Sequence, residues 1–507
     1  MNIALLLDLI ADTFGDRTAV TDGSGDLSYD RLRTLARTAA TRLIDAGAHT
    51  LAFADVNSAA VPVALFGAAW AGAAYAPLNF RLPPASLAAQ VDRLDRPATV
   101  ATAELAGQLG ATGARSTVDW WGEVDGAGEE GTGPYAAEPP GPAVILFTSG
   151  SSGTPKAAVL THENLLAYIM ETVEFIGADE DEALLLAAPP FHIAGVAAVL
   201  SSVYSGRRLL TLPGFTPEGW LHLARIQGAT HAFVVPTMLA RIVQVMRDDP
   251  SLSVPTLRSI SYGGARMALP VLEQALKLFP EVGFVNAYGL TETSSTIAVL
   301  GPDDHREALA GDDPDMRRRL ASVGRPLPGV EVAIVDESGT PSALGVRGAI
   351  RVRGSQVGGR YLDSRSGLDE DGWLVTGDVG SLDAHGYLYV EGRADDVIIK
   401  GGENLSPSEI EDALLRHPAV TAAVVVGVPD DDWGETVAAA VVVRPLADGQ
   451  ASAETVELLM AFVRARLGSL KTPSRIDVVD ELPSTDTGKV LRRVVRERMT
   501  GTVPDDG

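Results

Sequence analysis

A ten-residue segment rich in hydroxyl side chains and glycine, TSGSSGTPKA at residues 148–157, has the composition of a phosphate-binding loop. Glycines let backbone N–H groups approach phosphate oxygens, hydroxyls add further donors, and Lys156 supplies a positive charge. The spacing is not that of a P-loop, because Gly150 is not followed at the required distance by Gly-Lys-Ser/Thr. Taken alone, the segment favours phosphate binding over a flexible turn.

Lysine is scarce in this chain, which otherwise uses arginine for positive charge, and most of its lysines lie in or beside glycine-rich segments. An ammonium is a compact point charge on a flexible stem, whereas a guanidinium is a planar fork. A lysine retained in such a sequence indicates a phosphate or transition-state contact, with chance placement as the alternative. The lysines are Lys156, Lys277, Lys400, Lys471 and Lys489.

The elements that must position these residues alternate in the N-terminal half of the chain. Amphipathic helical stretches, such as residues 29–46, alternate with short apolar runs such as residues 143–147 and 208–212. This alternation predicts α/β layering with parallel sheets. Residues 124–142 are rich in glycine, proline and acid and predict an exposed linker, and residues 301–315 predict an acidic loop.

The pattern changes twice towards the C-terminus. Short apolar runs with turn residues between them predict a β-rich stretch over residues 323–390. Beyond Gly392 a compact α+β unit is predicted, with a first helix capped by Ser406, Pro407 at its first position and Glu409 closing a capping box. Strands at 421–428 and 437–443 and a helix at 453–467 follow. A domain boundary is therefore expected at residues 392–396.

Charge and cysteine content exclude several classes of function. The chain has 507 residues, and its 41 basic against 66 acidic side chains give a net charge of −25, which disfavours nucleic acid and anionic membranes as partners. Cysteine is absent, so any thioester chemistry needs a thiol from outside. The first residues lack the basic region of a signal peptide, so a cytoplasmic location is expected.

One apolar run reaches the length that a membrane span needs, about 20 residues. Residues 59–78 are mostly alanine and glycine, with Pro62 and Pro77 interrupting them. We interpret this run as a buried helix followed by a strand, and no integral membrane segment is expected.

The segment at 148–157 closely resembles the phosphate-loop signature of the adenylate-forming superfamily of acyl-CoA synthetases, adenylation domains and luciferases. Further motifs of that family follow in order. PPFHIAG (189–195) resembles the acyl-site motif, SYGGARM (261–267) the adenine-side loop, and NAYGLTET (286–293) the aromatic and metal motif. TGD (376–378), GRADDVIIKGGENLSPSEIE (392–411) and PSTDTGKVLRR (483–493) complete the set. The chain is identified as a member of the AMP-dependent acyl-CoA ligase branch.

The resemblance implies an α/β fold in two domains. Residues 1–394 would form a large domain of layered sheets and helices with a β-rich subdomain, which holds the acid, ATP and Mg²⁺ sites. Residues 395–507 would form a small mobile α+β domain that carries Lys489. Asp395 matches the hinge, about which the small domain rotates between the two half-reactions.

The resemblance also assigns a nucleotide site. Tyr288 offers a ring for adenine and Asn286 an amide for its edge, while Asp378 and Arg393 would bind the ribose. Glu292 is a hard oxygen ligand suited to Mg²⁺. The catalytic residues would be Lys489, Glu292, Thr291 and His192. The other ATP- or AMP-binding residues would be Thr148, Ser149, Gly150, Ser151, Ser152, Gly153, Thr154, Lys156, Gly264, Ala265, Ala287 and Gly289. Ala157 replaces a usual glycine and Ser152 a commoner threonine, so an altered rate is expected.

The acid and thiol sites follow by the same resemblance. His192 occupies the position where amino-acid-activating relatives have an aspartate, so an amino acid is disfavoured as the substrate. The candidate pocket residues are mostly apolar or small, so a hydrophobic acid, fatty, aryl or polycyclic, is expected. The acyl pocket would comprise His192, Phe233, Val234, Thr237, Met238, Gly263, Gly264 and residues Ser294, Ser295 and Thr296. The CoA pantetheine tunnel would comprise Lys400, Gly401, Gly402 and Trp433, although a buried core role for Trp433 is the alternative.

Alternatives to an acyl-CoA synthetase stay open at this point. An acid adenylase that loads a carrier protein has a similar first step, as does a luciferase-like oxygenase. A non-catalytic nucleotide-binding paralogue is disfavoured because Lys489, Glu292, Asp378 and Arg393 are all present. The expected small-molecule partners are a carboxylic acid, ATP and CoA, with Mg²⁺, and a homodimer is left open.

Replacement of Lys489 tests the catalytic assignment. Lys489→Ala removes the ammonium expected to stabilise charge at the carboxylate and α-phosphate, so acyl-AMP formation from ATP and acid should fall by at least about 100-fold. Quenched-flow measurement of acyl-AMP is the assay. Formation at the wild-type rate would show that the assignment is wrong.

Overall fold

The computed structural model describes residues 1–110, 113–126, 141–148, 155–310, 313–363, 366–444, 453–485 and 490–501. The predicted phosphate-loop residues 149–154, the predicted catalytic Lys489 and residues 127–140 of the predicted linker lie outside these described residues. The described residues form a large unit with three sheets, followed by a smaller unit with one sheet. The predicted α/β fold class is confirmed.

The largest sheet has nine strands within the described residues, in the spatial order β15-β14-β13-β12-β11-β9-β10-β1-β2. Its centre is parallel, and the strands there are short apolar runs buried on both faces, as in other parallel sheets covered by helices. The strands are Thr18–Asp22 (β1), Gly25–Ser28 (β2), Ala183–Leu186 (β9), Arg208–Thr211 (β10), His231–Val234 (β11), Ser259–Gly263 (β12), Gly283–Leu290 (β13), Ser295–Leu300 (β14) and Arg325–Pro326 (β15).

The second sheet is also mainly parallel and has the order β18-β8-β7-β4-β3-β5-β6. β7 and β8 form an antiparallel pair on either side of the predicted phosphate loop. The strands are Thr50–Ala54 (β3), Ala74–Pro77 (β4), Pro97–Ala101 (β5), Arg115–Ser116 (β6), Val144–Thr148 (β7), Lys156–Leu160 (β8) and Arg360–Tyr361 (β18).

Helices cover these two sheets. The run at 59–78 forms a buried helix and a strand, as predicted, and its helix packs against the amphipathic helix of residues 29–45. The helices of the large unit are Ala4–Phe14 (α1), Tyr29–Asp45 (α2), Ala60–Ala71 (α3), Pro84–Val91 (α4), Ala103–Gln108 (α5), Thr117–Gly126 (α6), His162–Thr172 (α7), Ile193–Ser205 (α8), Pro217–Ile226 (α9), Pro236–Asp248 (α10), Leu269–Leu278 (α11), Pro302–Ala310 (α12) and Pro314–Arg318 (α13).

The predicted β-rich stretch is confirmed as an antiparallel sheet of order β16-β17-β19-β20. Its strands are Val330–Val335 (β16), Gly348–Gly354 (β17), Leu374–Leu382 (β19) and Leu388–Arg393 (β20). A single 3₁₀ turn, Ala394–Asp396, follows β20 and contains the predicted hinge residue Asp395. The chain then enters the sheet of the small unit.

The small unit is an α+β sandwich. Its sheet has the order β22-β21-β24-β23, with a further strand, β25, parallel to β24. The strands are Ile398–Lys400 (β21), Glu403–Leu405 (β22), Val420–Asp430 (β23), Gly434–Val443 (β24) and Arg475–Val478 (β25), and the helices are Pro407–Leu415 (α14), Ala453–Leu467 (α15) and Arg492–Met499 (α16). Within the described residues, no helix combines the length and apolar character of a membrane span.

Three local predictions are wrong in whole or in part. The predicted exposed linker at 124–142 begins too early, because residues 124–126 end α6 and Val124 is buried. Most of the acidic loop at 301–315 is helical, because Pro302, Asp303 and Asp304 occupy the first turn of α12, where proline and acidic side chains favour a helix start. The capping box at Ser406 does not form. The Ser406 hydroxyl instead donates to the carbonyl of Glu391 at 3.4 Å, and Glu409 binds the Lys471 ammonium at 2.6 Å.

An ion pair ties the C-terminal helix to the rest of the small unit. Arg492 donates to both carboxylate oxygens of Glu411, at 2.5 and 2.9 Å, and to the carbonyl of Val425 at 2.7 Å. Its Nε also lies 3.7 Å from the carboxylate of Asp396. Glu411 and the carbonyl of Val425 thus hold the start of α16, while Asp396 links it to the turn after β20.

Candidate active site

Strand β13, third in the order of the nine-stranded sheet, carries the predicted adenine-binding residues Asn286 and Tyr288. Tyr288 and Gly289 lie near its end, opposite β14. A Cβ at Gly289 would lie 1.7 Å from the carbonyl oxygen of Ser295, so this close approach requires glycine. The amide of Asn286 donates to the carbonyl of Ser322 at 3.2 Å, which fixes the side chain against its own domain.

A buried carboxylate joins the two predicted ribose residues to the predicted adenine platform. The hydroxyl of Tyr288 donates to Asp378 Oδ2 at 2.6 Å, and Arg393 Nη1 donates to Asp378 Oδ1 at 3.2 Å and to the carbonyl of Thr376 at 3.0 Å. Asp378 is 8% exposed. Burial, with the neighbouring Asp378 carboxylate, raises the pKa of Tyr288 well above its usual value, so the phenol stays a donor. Three strands from two sheets therefore meet at one carboxylate.

The predicted metal ligand Glu292 is held by a residue that the sequence did not suggest. The hydroxyl of Tyr361 donates to Glu292 Oε1 at 2.8 Å, and the Lys156 ammonium lies 5.5 Å from the centre of the Tyr361 ring. Burial and the Glu292 charge raise the pKa of Tyr361. Tyr361 thus holds the Glu292 carboxylate in a fixed position next to β8, the strand that follows the predicted phosphate loop.

This donor set fits Mg²⁺ carried by a nucleotide. Mg²⁺ usually keeps several waters and binds through one or two carboxylates together with phosphates. Glu292 supplies one such carboxylate, and the described residues contain no cluster of three or more aspartate, glutamate or histidine side chains that would form a protein cage. The arrangement suits an ion that enters bound to ATP.

The turn after Glu292 is strained and clamped. Ser294 has φ 56° and Ser295 φ 111°, both in the region that favours glycine. Gln356, which is 2% exposed, donates to the carbonyls of Thr293 and Thr296 at 3.0 and 2.6 Å. The hydroxyl of Ser294 donates to the carbonyl of Gln356 at 2.9 Å. Ser294, a predicted acyl-pocket residue, therefore helps to fix the turn, because its hydroxyl is engaged in the hydrogen bond to Gln356.

A cavity of about 320 Å³ lies next to the predicted acyl-site motif and reaches the small unit. Its lining includes Pro189 and Pro190 from that motif, Thr237 and Met238 from α10, and residues that precede Lys489. The full lining is Asn57, Phe80, Arg81, Ala187, Pro189, Pro190, Pro213, Gly214, Phe215, Thr237, Met238, Arg241, Ser484 and Thr485. The segment before Lys489 therefore lies against the large unit.

The remaining predicted acyl residues are not among those that line this cavity. His192 is the N-cap of α8, and its ring centre lies 4.7 Å from that of Phe191, which in turn packs edge-on against Phe80. Val234 is buried in β11, and Phe233 is its half-buried neighbour. Gly263 ends β12, and Gly264, with φ 80°, starts the exposed loop that contains Ala265. Val234 and Gly263 thus end two neighbouring strands, β11 and β12, of the nine-stranded sheet.

The predicted thiol-side residues are brought together on the small unit. The backbone N–H of Gly401 donates to the carbonyl of Trp433 at 2.9 Å, and a Cβ at Gly401 would lie 2.6 Å from the Trp433 ring. The Lys400 ammonium donates to the carbonyl of Leu470 at 3.2 Å and is buried. Trp433 is 51% exposed, so the alternative of a buried core tryptophan is wrong.

Known proteins and protein families are similar to this chain over most of its length. A family model described as AMP-binding enzyme matches residues 7–362, and the AMP-binding enzyme C-terminal domain model matches residues 409–489. A feruloyl-CoA synthase from an Amycolatopsis species is 33% identical over 496 residues, 95% of this chain and 96% of the relative. A fatty acid–[acyl-carrier-protein] ligase, ScoC, from Streptomyces coeruleorubidus is 33% identical over 378 residues, 73% of this chain and 69% of the relative.

A solved structure extends the likeness over the whole chain. The amide bond synthetase McbA from Marinactinospora thermotolerans matches with a TM-score of 0.84 at 30% identity, covering 98% of this chain and 99% of that one. These relatives differ in the acceptor that their names give, CoA, a carrier protein or an amide-forming partner. They share the fold that carries the site.

Asp378 provides a test of the nucleotide site. In Asp378→Asn one carboxylate oxygen becomes an amide donor, which cannot accept from a ribose hydroxyl and faces the Arg393 guanidinium. The loss of a charged hydrogen bond of about 2 kcal/mol should raise the apparent KM for ATP about thirtyfold. Steady-state pyrophosphate release at varied ATP measures it.

Asp383→Asn is the matched control. Asp383 lies in the turn between β19 and β20, where its carboxylate accepts from the N–H groups of His385 and Tyr387. Its replacement should leave the KM for ATP within about twofold, because surface changes away from the site have small effects. An equal rise in both variants would contradict the assignment of Asp378 to the ribose.

Proposed function

The chain belongs to the AMP-binding enzyme family, in the acid–CoA ligase branch of the adenylate-forming superfamily, and on this premise we propose that it joins a hydrophobic carboxylic acid to CoA through an acyl-adenylate. The observation that carries the proposal is the Tyr288–Asp378–Arg393 network, which ends at the turn leading into the small unit. It supports nucleotide binding where the two units meet.

In the first half-reaction the carboxylate oxygen of the acid attacks the α-phosphorus of ATP. A bond from that oxygen to phosphorus forms, and the bond from phosphorus to pyrophosphate breaks. Asp378 would accept from the ribose hydroxyls, Arg393 would donate to the ribose, and Tyr288 would stack on adenine. Thr291 would donate to the α-phosphate. The binding of remote parts of ATP in this way positions the reacting phosphorus.

Charge develops on the α-phosphate oxygens and on the departing pyrophosphate. Mg²⁺, bound with ATP, would neutralise part of this charge. Glu292 would hold the ion in the orientation set by Tyr361, and the loop at 149–154 would donate to the pyrophosphate. Lys489 would stabilise the α-phosphate and the incoming carboxylate from the small domain.

In the second half-reaction a thiol attacks the acyl carbon and AMP leaves. We place the hinge for the intervening rotation at Asp395, with domains of 1–394 and 395–507. The rotation would withdraw Lys489 and present Lys400, Gly401, Gly402 and Trp433 to the pantetheine arm. The half-exposed Trp433 ring packed against Gly401 supports this, because it gives a flat wall beside a residue without a side chain.

The acid is proposed to be hydrophobic, fatty, aryl or polycyclic. Phe80 and Met238 line the cavity next to the acyl-site motif, and the ring of Phe191 packs edge-on against that of Phe80. His192 at the start of α8 offers no carboxylate for a substrate ammonium, which argues against amino acids. Among the relatives, the feruloyl-CoA synthase is named for an aryl acid and ScoC for a fatty acid.

A carrier-protein thiol is the second candidate for the acceptor. The relative ScoC is named as a ligase for an acyl-carrier protein, so a carrier protein is a reasonable acceptor to test. Trp433 and Ile399 are both exposed on the small unit and suit either a pantetheine on CoA or one on a carrier protein. CoA and a carrier protein both present their thiol at the end of a pantetheine arm.

A pyrophosphate-release screen over fatty, aryl and terpenoid acids tests the proposal, with CoA, with a phosphopantetheinylated carrier protein, with a primary amine and with no acceptor. Pyrophosphate from at least one hydrophobic acid and a thioester with CoA are the expected results. Thioester only on the carrier protein would favour the second candidate, and amide only would contradict a thiol acceptor. Lys489→Ala gives the background, and the absence of release with every acid would contradict the proposal.

A further inference from the structure

One ion pair crosses from the predicted adenine loop to the small unit. Arg266 lies two residues after Gly264, in the loop between β12 and α11. Its guanidinium donates to both carboxylate oxygens of Asp412 on α14, with Nη1 3.1 Å from Oδ1, and Nη1 also lies 3.4 Å from the carbonyl of Ser408. The pair is bidentate, which gives directional as well as electrostatic attachment.

The surroundings make this contact stronger than an ordinary surface pair. The Asp412 side chain is 18% exposed and that of Arg266 34%. Exposed pairs contribute little, but partly covered, bidentate arginine–carboxylate pairs contribute more. α11 and α14 pack beside it, so the guanidinium is fixed at a helix–helix contact.

Two further polar contacts between the large and small units involve Glu391, close to the hinge in the chain. The hydroxyls of Ser406 and Ser408 both donate to the carbonyl of Glu391, four residues before Asp395 in the chain. A contact that is close to the axis of a rotation changes little during it. Arg266 belongs to the body of the large domain, and Asp412 lies one helical turn beyond Ser408 on α14, so the Arg266–Asp412 pair would separate when the small domain turns.

We propose that Arg266 is a positioning residue that holds the small domain in the adenylation orientation through Asp412. In this orientation Ser484 and Thr485 line the cavity next to the acyl-site motif, which brings the segment before Lys489 to the large domain. Since Gly264 and Ala265 are proposed nucleotide contacts, the same loop would sense ATP or AMP and hold the small domain. This inference rests on the proposed function for its two half-reactions.

The absence of cysteine allows the orientation to be measured directly. Glu104 on α5 and Glu457 on α15 are exposed, and their replacement by cysteine gives one dye site on each domain, with no other thiol in the chain. Single-molecule energy transfer between the dyes, in the full-length enzyme, reports the distribution of domain orientations without any need for turnover.

Arg266→Gln, introduced into the doubly labelled enzyme, is expected to shift the distribution of dye-to-dye distances away from the main distance of the wild-type enzyme. Acyl-AMP formation should fall about tenfold, the range expected for one contacting pair, whereas transfer from pre-formed acyl-AMP to CoA should keep at least its wild-type rate. The double charge reversal Arg266→Asp with Asp412→Arg should recover most of the distribution and of the adenylation rate. A general loss of folding would not be rescued in this way.

Arg353→Gln is the control, because Arg353 makes a bidentate pair with Glu331 between β16 and β17, within the large domain. It should leave the distance distribution unchanged. An unchanged distribution in Arg266→Gln, or an equal fall in both half-reactions without recovery in the double reversal, would overturn the inference. If the wild-type enzyme adenylated no acid, the proposed function would fail, and the distance distributions would still decide whether Arg266 holds the domain.

Discussion

The Asp378 carboxylate is the constraint on which the rest of the site depends. A buried carboxylate is stable only when its oxygens are paired, and here the partners come from Tyr288 on the nine-stranded sheet and Arg393 at the end of the antiparallel sheet. Satisfying that one charge fixes how the two sheets meet. It also fixes Arg393, the residue after which the chain turns towards the small domain.

The other groups follow from this arrangement. Glu292 lies four residues after Tyr288 on the same chain segment, so β13 and its clamped turn set the position of the proposed metal ligand relative to the proposed ribose contacts. Tyr361 and Gln356 hold that segment from outside. On the far side of the junction, Arg492 and Glu411 hold the segment that follows Lys489. Both sides of the junction are therefore organised by paired charges and fixed backbone, which is the preorganisation that charge stabilisation in a transition state requires.

Sequence patterns predicted the elements that depend on local chemistry. The helix and strand of residues 59–78 follow from an unbroken apolar run, and α14 follows from proline at its first position and an apolar face. The acidic stretch at 301–315 is mostly helical rather than a loop, because the same prolines and aspartates that are typical of loops also start helices. The Ser406 cap failed because a long-range partner, the carbonyl of Glu391, competes for the hydroxyl.

Motif resemblance predicts the residues proposed to contact the nucleotide, but it does not predict the residues that hold those side chains in place. Tyr361, Gln356 and the Arg266–Asp412 pair carry no local signal, since each acts through a partner many residues away that only the tertiary fold brings near. A buried glutamine or an arginine in a loop looks like any other in the sequence. Their roles depend on sheet packing and on the relative placement of the two domains.

The central claim is that the acid attacks the α-phosphate of ATP, and an isotope transfer tests it most directly. An acid accepted in the pyrophosphate screen is prepared with ¹⁸O in both carboxylate oxygens and turned over with ATP and CoA, and the AMP is analysed by mass spectrometry. The account predicts one ¹⁸O atom in each AMP formed. Label in inorganic phosphate with none in AMP would mean attack at the terminal phosphate, and would contradict it.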